Sequence, residues 1–83
     1  MSEEFSFKAL KVLREEHTDD KNLIRLWIVC WGKGKPVLEK RRVWIDVDGT
    51  EKPRKMVGMN NDDLKYIINN QETITSILQG DAQ

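Results

Sequence analysis

Apolar and polar residues along most of this chain keep the two-residue period of a strand, and only the last quarter changes to the period of a helix. Along Phe5 to Arg14 (FSFKALKVLR) the apolar set begins as Phe5 and Phe7 and then changes phase to Leu10 and Val12. Such a phase change predicts a strand carrying a bulge. Ala9, Leu10 and Leu13 also stand at helical spacing, but two β-favouring phenylalanines in alternation decide for the strand. Glu15 to Asn22 (EEHTDDKN) reads as a polar loop. Leu23 to Trp31 (LIRLWIVCW) follows as the most β-rich run of the chain. One face of that strand carries Leu23, Arg25, Trp27, Val29 and Trp31, and the other Ile24, Leu26, Ile28 and Cys30. The second face is wholly apolar and is assigned to the core.

Gly32 to Pro36 forms a flexible cationic turn, without the spacing or the following helix of a phosphate-cradling P-loop. Glu39 to Met59 (EKRRVWIDVDGTEKPRKMVGM) then reads as a hairpin. Its turn is Asp48-Gly49, a dipeptide that favours type I′ geometry with positive φ at both positions. Trp44 stands at the centre of the first arm, sharing its face with Lys40, Arg42 and Asp46, while Arg41, Val43 and Ile45 take the other. Past Met59 a helix is predicted. Asn60 caps it, Asp62 and Asp63 lie in its first turn, and Leu64, Ile67, Ile68, Gln71, Ile77 and Leu78 form its stripe. Asn69-Asn70 is a point for a kink, and Gly80 ends the helix. The expected fold class is α+β: one domain over residues 1–83, with four antiparallel strands over 5–59, one C-terminal helix over 60–79 and a loose tail over 80–83.

Composition narrows the class. The chain has 83 residues, 39% hydrophobic and 34% charged, which is globular, and a domain this small buries roughly 60 to 65% of its unfolded surface. A partner subunit is a ready source of further burial. No apolar run reaches the ~20 residues of a membrane-spanning helix, the Met-Ser-Glu-Glu start lacks the pattern of a secretory signal, and the single Cys30 excludes an internal disulfide. A reducing interior is the expected compartment: cytoplasm, with nucleoid association in a bacterium, or nucleus in a eukaryote.

Net charge is zero, but the charges are segregated. Residues 33–55 hold eight bases and four acids, against six acids and four bases in residues 1–22 and four acids and one base in residues 60–83. The cationic middle sets the field that a polyanion feels within a Debye length of roughly 8 to 10 Å. Antiparallel pairing brings Lys40, Arg41 and Arg42 of one arm near Lys52, Arg54 and Lys55 of the other, around Trp44. An indole among cations suits the stacking of unpaired bases, although tryptophan in a strand is commonly core and charge runs commonly only solvate a face. For Trp27 and Trp31, beside Arg25, packing and stacking roles weigh about equally.

Catalysis finds little support. His17 is the only histidine and stands among Thr18, Asp19 and Asp20, Cys30 is assigned to the core, and one Cys with one His cannot build a zinc site. Asp46, Asp48 and Glu51 surround a turn without the spacing of a calcium loop. No enzyme activity, metal or cofactor is expected.

The segment from Lys40 to about Leu78, about half of the chain, resembles the single-stranded-DNA-binding domain of the transcriptional coactivator family known as positive cofactor four, with its small bacterial and phage relatives. The matching residues are Arg41 and Arg42 before Trp44, then Asp46, Gly49, Lys52-Pro53, Arg54-Lys55, Met59-Asn60, an acidic helix start and Leu64. Trp31, followed by a Gly/Lys/Pro linker, is similar to the bacterial branch. Arg54 follows Pro53 directly, where family members insert a glycine. The resemblance implies a curved four-stranded sheet with a C-terminal helix, a homodimer paired through its helices, and single strands held in cationic channels. It implies stacking on Trp44 and backbone contacts from Arg41 or Arg42, Arg54 and Lys55, with Lys35 in a cationic loop.

The expected function is sequence-tolerant binding of single-stranded DNA or RNA by a coactivator or regulator within the transcription or replication machinery. Its candidate residues are Arg25, Trp27, Trp31, Lys35, Lys40, Arg41, Arg42, Trp44, Lys52, Arg54 and Lys55. The competing expectation is a protein-interaction adaptor in which Trp27, Trp31 and the hairpin dock an acidic partner.

Overall fold

In the computed structural model, which describes residues 6–80, four strands are followed by two helices. The strands are β1 (Phe7–His17), β2 (Asn22–Trp31), β3 (Val37–Ile45) and β4 (Glu51–Met56), and the helices α1 (Asn61–Asn69) and α2 (Gln71–Leu78). Each strand pairs antiparallel with the next in the order β1-β2-β3-β4, so the sheet is open with β1 and β4 at its edges. Phe5, expected in the first strand, and residues 81–83 of the expected tail lie outside the described residues.

The first strand shows how local pattern and register combine. It carries two register shifts, between Ala9 and Lys11 and between Val12 and Arg14. The extra residues let Leu13 turn into the helix-side core while Leu10 and Val12, the expected apolar set, stay about 40% exposed. The expected polar loop is also shorter than predicted. Glu15, Glu16 and His17 continue β1 because each has a cross-strand partner in β2 (Arg25, Ile24 and Leu23), and only residues 18–21 turn. Asp19 closes that turn by accepting from the backbone N–H groups of Lys21 and Asn22 at 2.8 and 2.9 Å.

The hairpin between β3 and β4 forms, but its turn is not the type I′ expected from Asp48-Gly49. Only glycines among the described residues take positive φ, so Asp48 does not, whereas Gly49 stands at 86°. The chain turns over Asp46–Gly49, the Gly49 N–H donating to the Asp46 carbonyl at 2.9 Å, and Gly49 supplies the left-handed step back into β4. Side-chain caps favour this longer loop: Asp46 accepts from the Val47 N–H at 2.8 Å and Asp48 from the Thr50 N–H at 2.9 Å.

The predicted single helix is two. Asn60 caps α1 as expected, its side chain accepting from the Asp63 N–H at 3.0 Å while Asp63 accepts from the Asn60 N–H at 2.9 Å, a reciprocal capping box. The break comes at Asn70, whose backbone leaves helical geometry (φ −120°, ψ 25°) and whose side-chain amide donates to the Tyr66 carbonyl at 2.8 Å. An asparagine that satisfies the preceding turn itself offers the backbone an alternative to continuing.

The sheet is buried on both faces, by different means. On one face Leu13, Leu26, Ile28 and Ile74 form a core with Leu38, Tyr66, Ile67, Ile77 and Leu78, so this face lies under the helices. On the other, Leu23, Trp27, Val29 and Val43 pack with Phe7, Trp31 and Ile45, and no helical residue belongs to this cluster. For the mixed face of β2, where packing and stacking roles weighed about equally, packing holds for Trp27. Trp27, Val29 and Leu23 are among the most buried residues of the chain.

Candidate functional site

What roofs the helix-free face is a network of ion pairs. Register sets Glu15 opposite Arg25, Arg25 opposite Arg41, and Trp27 opposite Glu39. Arg25 donates from Nε to Glu15 at 2.7 Å and from its two terminal nitrogens to both oxygens of Glu51, each at 2.9 Å, bracing β1, β2 and β4 together. Its guanidinium carbon lies 5.0 Å from the Trp27 ring centroid. Glu39 is the second centre of the network. Its carboxylate accepts from the indole N–H of Trp27 at 3.3 Å, from that of Trp31 at 3.2 Å and from Arg41 through Nε and Nη2. Burial pushes the Glu39 carboxyl up, yet the hydrogen bonds from Arg41, Trp31 and Trp27 outweigh it and hold the group below the usual glutamate range. Glu51 is likewise held low, first by its hydrogen bonds from Arg25.

Above this floor opens a groove of about 850 Å³ lined by Phe7, Trp31, Glu39, Arg41, Thr50, Glu51, Lys52 and Pro53. Phe7 and Trp31 meet with ring centroids 5.5 Å apart and planes tilted by 43°, and the Arg41 guanidinium sits 4.8 Å from the Trp31 centroid. The acids of the groove are already bonded to its arginines. Its cations continue into flanking segments: Lys33 and Lys35 follow Trp31, while Arg54 and Lys55 follow Pro53. Together with Arg42, these four side chains make no hydrogen bond or ion pair among the described residues.

The structure divides the predicted site residues between two faces. Trp31, Arg41 and Lys52 line the groove, and Arg25 and Trp27 lie in its floor, Trp27 with no exposed surface and so without room for a stacked base. Lys40, Arg42 and Trp44 alternate onto the face that carries the helices. There the Lys40 Nζ lies 2.6 Å from Asp63 of α1, its side chain only 12% exposed, so it docks a helix. Trp44 is half-buried and lines a shallow depression with Asp19, Asp20, Lys21 and Asn22, and the adjacent Lys52 is paired with Asp46 at 2.9 Å. The groove therefore lies around Trp31, with its acids and arginines paired, and not around Trp44 as expected. His17, expected in a loop, ends β1 with Nε2 3.6 Å from Glu15, and Cys30 is half-buried.

Phe7, Glu39 and Glu51 were not among the sequence candidates. Their signal was present in part: Glu39 and Arg41 stand two apart on one strand and therefore share a face, and Phe7 is the one aromatic of the first strand among the described residues.

Fold and site together define a small α+β protein with an aromatic, arginine-floored groove on the sheet face its helices leave open. No family model, curated protein or solved structure matches the chain. No helix among the described residues is long and apolar enough to cross a membrane.

Proposed function

We propose that this chain binds single-stranded nucleic acid with little sequence preference, along the groove of the helix-free face, as a homodimer joined through its helices. The observation that carries the reading is the groove itself: Phe7 and Trp31 over a charge-neutralised floor, with unpaired Lys33, Lys35, Arg54 and Lys55 in the segments that leave it. Bases stack on aromatic faces at about 1 to 3 kcal/mol each without regard to sequence, and exposed cations hold the phosphates between them. The resemblance of residues 40–78 to the positive cofactor four family supports the same reading and suggests a role in transcription or replication. The competing adaptor reading, in which Trp27, Trp31 and the hairpin dock an acidic partner, loses Trp27 to the core but keeps Trp31 and the same cations.

Neutralisation of about four phosphates gives a single-strand salt slope near −2.8, roughly a fiftyfold weakening between 50 and 200 mM salt. Titration of oligo(dT) and oligo(U), followed by tryptophan emission, tests this. Quenching with salt-sensitive affinity is the expected result. No quenching and no affinity for either strand sinks the reading and leaves the adaptor class.

A further inference from the structure

Arg41 was expected to grip a phosphate, but its bonding in the folded protein assigns its donors elsewhere. Nε and Nη2 donate to Glu39, and Nη1 donates to the Arg54 carbonyl at 2.6 Å. Three of its five N–H bonds are thereby committed within the plane of the guanidinium, and its charge faces a carboxylate that is 5% exposed. What Arg41 still offers the groove is the exposed fifth of its side chain, beside Trp31. Its guanidinium carbon sits over the Trp31 ring, 4.8 Å from the centroid, and the residue lines the groove with its side chain 19% exposed. Guanidinium planes stack on aromatic rings, and unpaired bases stack on guanidinium planes.

We propose that Arg41, held over Trp31 by Glu39, meets the ligand as a stacking plane for an unpaired base and not as a phosphate clamp. Glu39 is then a positioning residue: one carboxylate fixes both indole N–H groups and the guanidinium, so platform and backing are set before the ligand arrives. The salt dependence of binding falls to the unpaired cations instead. This inference rests on the single-strand reading and adds the division of labour within that site.

Charge-preserving and charge-neutral substitutions separate the two roles. Arg41→Lys keeps the cation and removes the plane. Arg41→Met combined with Glu39→Gln removes the pair without stranding a buried charge, which guards against loss of folding. Stacking by Arg41 predicts that both variants bind oligo(dT) about fivefold to a hundredfold more weakly while keeping the wild-type salt slope. Lys55→Ala instead flattens the slope by about 0.7. An abasic oligonucleotide, which has the phosphates without the bases, binds wild type and Arg41→Lys equally. Unchanged oligo(dT) affinity in Arg41→Lys, or a slope flattened by about 0.7 in the double variant, overturns the stacking role while leaving single-strand binding intact. Absence of single-strand binding by the wild type overturns the underlying function and this role with it.

Discussion

The Lys40 ammonium lies 2.6 Å from the Asp63 carboxylate, and this contact joins the middle of the sheet to the first turn of α1. Asp63 has a second cation, Arg14 of β1, also at 2.6 Å, and one of its oxygens caps the helix through the Asn60 N–H. One side chain that is 3% exposed therefore closes the capping box and docks the helix on two strands. Asp63→Ala leaves Lys40 without its partner beneath the helix and removes the carboxylate half of the capping box, while the Asn60 side chain still caps the backbone N–H of residue 63. Breaking one side of a buried pair costs about 3 to 5 kcal/mol, a large share of the stability of so small a domain. Urea unfolding is expected to show that loss. Lys40→Met with Asp63→Asn, which removes both charges, is expected to recover much of it.

The same carboxylates set the acid limit of the fold. Asp63 is pushed up by burial but held below its ordinary 3.8 by Lys40, the Asn60 N–H and Arg14, and Glu39 lies below its ordinary 4.5 for the reasons given above. A carboxyl whose folded pKa is depressed contributes stability that is present above its unfolded pKa and is lost as pH falls through the folded one. The melting temperature should therefore hold from neutral pH to about 5 and fall progressively below about 4. Asp63→Asn and Glu39→Gln should each start lower at pH 7 and fall less steeply in acid. Equal acid slopes in wild type and both variants would show that other groups set the limit.

Much of this architecture is legible in the chain because it is local. The alternation of β2, the hairpin around Gly49, and Asn60 with Asp63 as a helix start all depend on residues a few positions apart. The floor of the groove does not. Arg25 reaches Glu15 and Glu51 only because two bulges in β1 and the pairing of β3 with β4 bring three strands into one register. Alternation places Trp44 on the face of Lys40 and Arg42, but it cannot say which face the helices cover. That choice is made by tertiary docking, through Lys40 and Asp63, and it separates Trp44 from Trp31. The split into two helices at Asn70 has the same character, a local competition whose outcome depends on Ile74 and Ile77 reaching the sheet.

Trp31 and Trp44 provide the direct test of which face binds. Trp31 lines the groove against Phe7 and Arg41, whereas Trp44 sits across the sheet in a shallow depression with Asp19, Asp20, Lys21 and Asn22. Trp31→Ala should weaken oligo(dT) binding about tenfold or more, with Trp31→Phe retaining much of the affinity, since an aromatic face is what stacking requires. Trp44→Ala should change affinity by less than about twofold, within the range of a residue outside the contact. The reverse ranking, with both variants folded by near-ultraviolet circular dichroism, would move the site to the helix-bearing face.

The outer side of α1 bears on assembly. Ile67 and Tyr66 turn toward the sheet, which leaves Leu64 and Ile68, one turn apart, 52% and 58% exposed, with Met59 before the helix at 47%. Apolar residues so placed on a helix of an 83-residue chain have burial to gain from a second copy. Light scattering after size exclusion is expected to give the mass of two chains for wild type and of one for Leu64→Lys combined with Ile68→Lys. A dimer also offers two grooves to one strand, and linked sites bind with an avidity that neither has alone. The monomeric variant should therefore lose affinity for a long oligo(dT) and keep it for one too short to span both grooves. If wild type already runs as one chain, the helix surface has another use; equal losses on long and short strands would mean that the substitutions damage the groove itself.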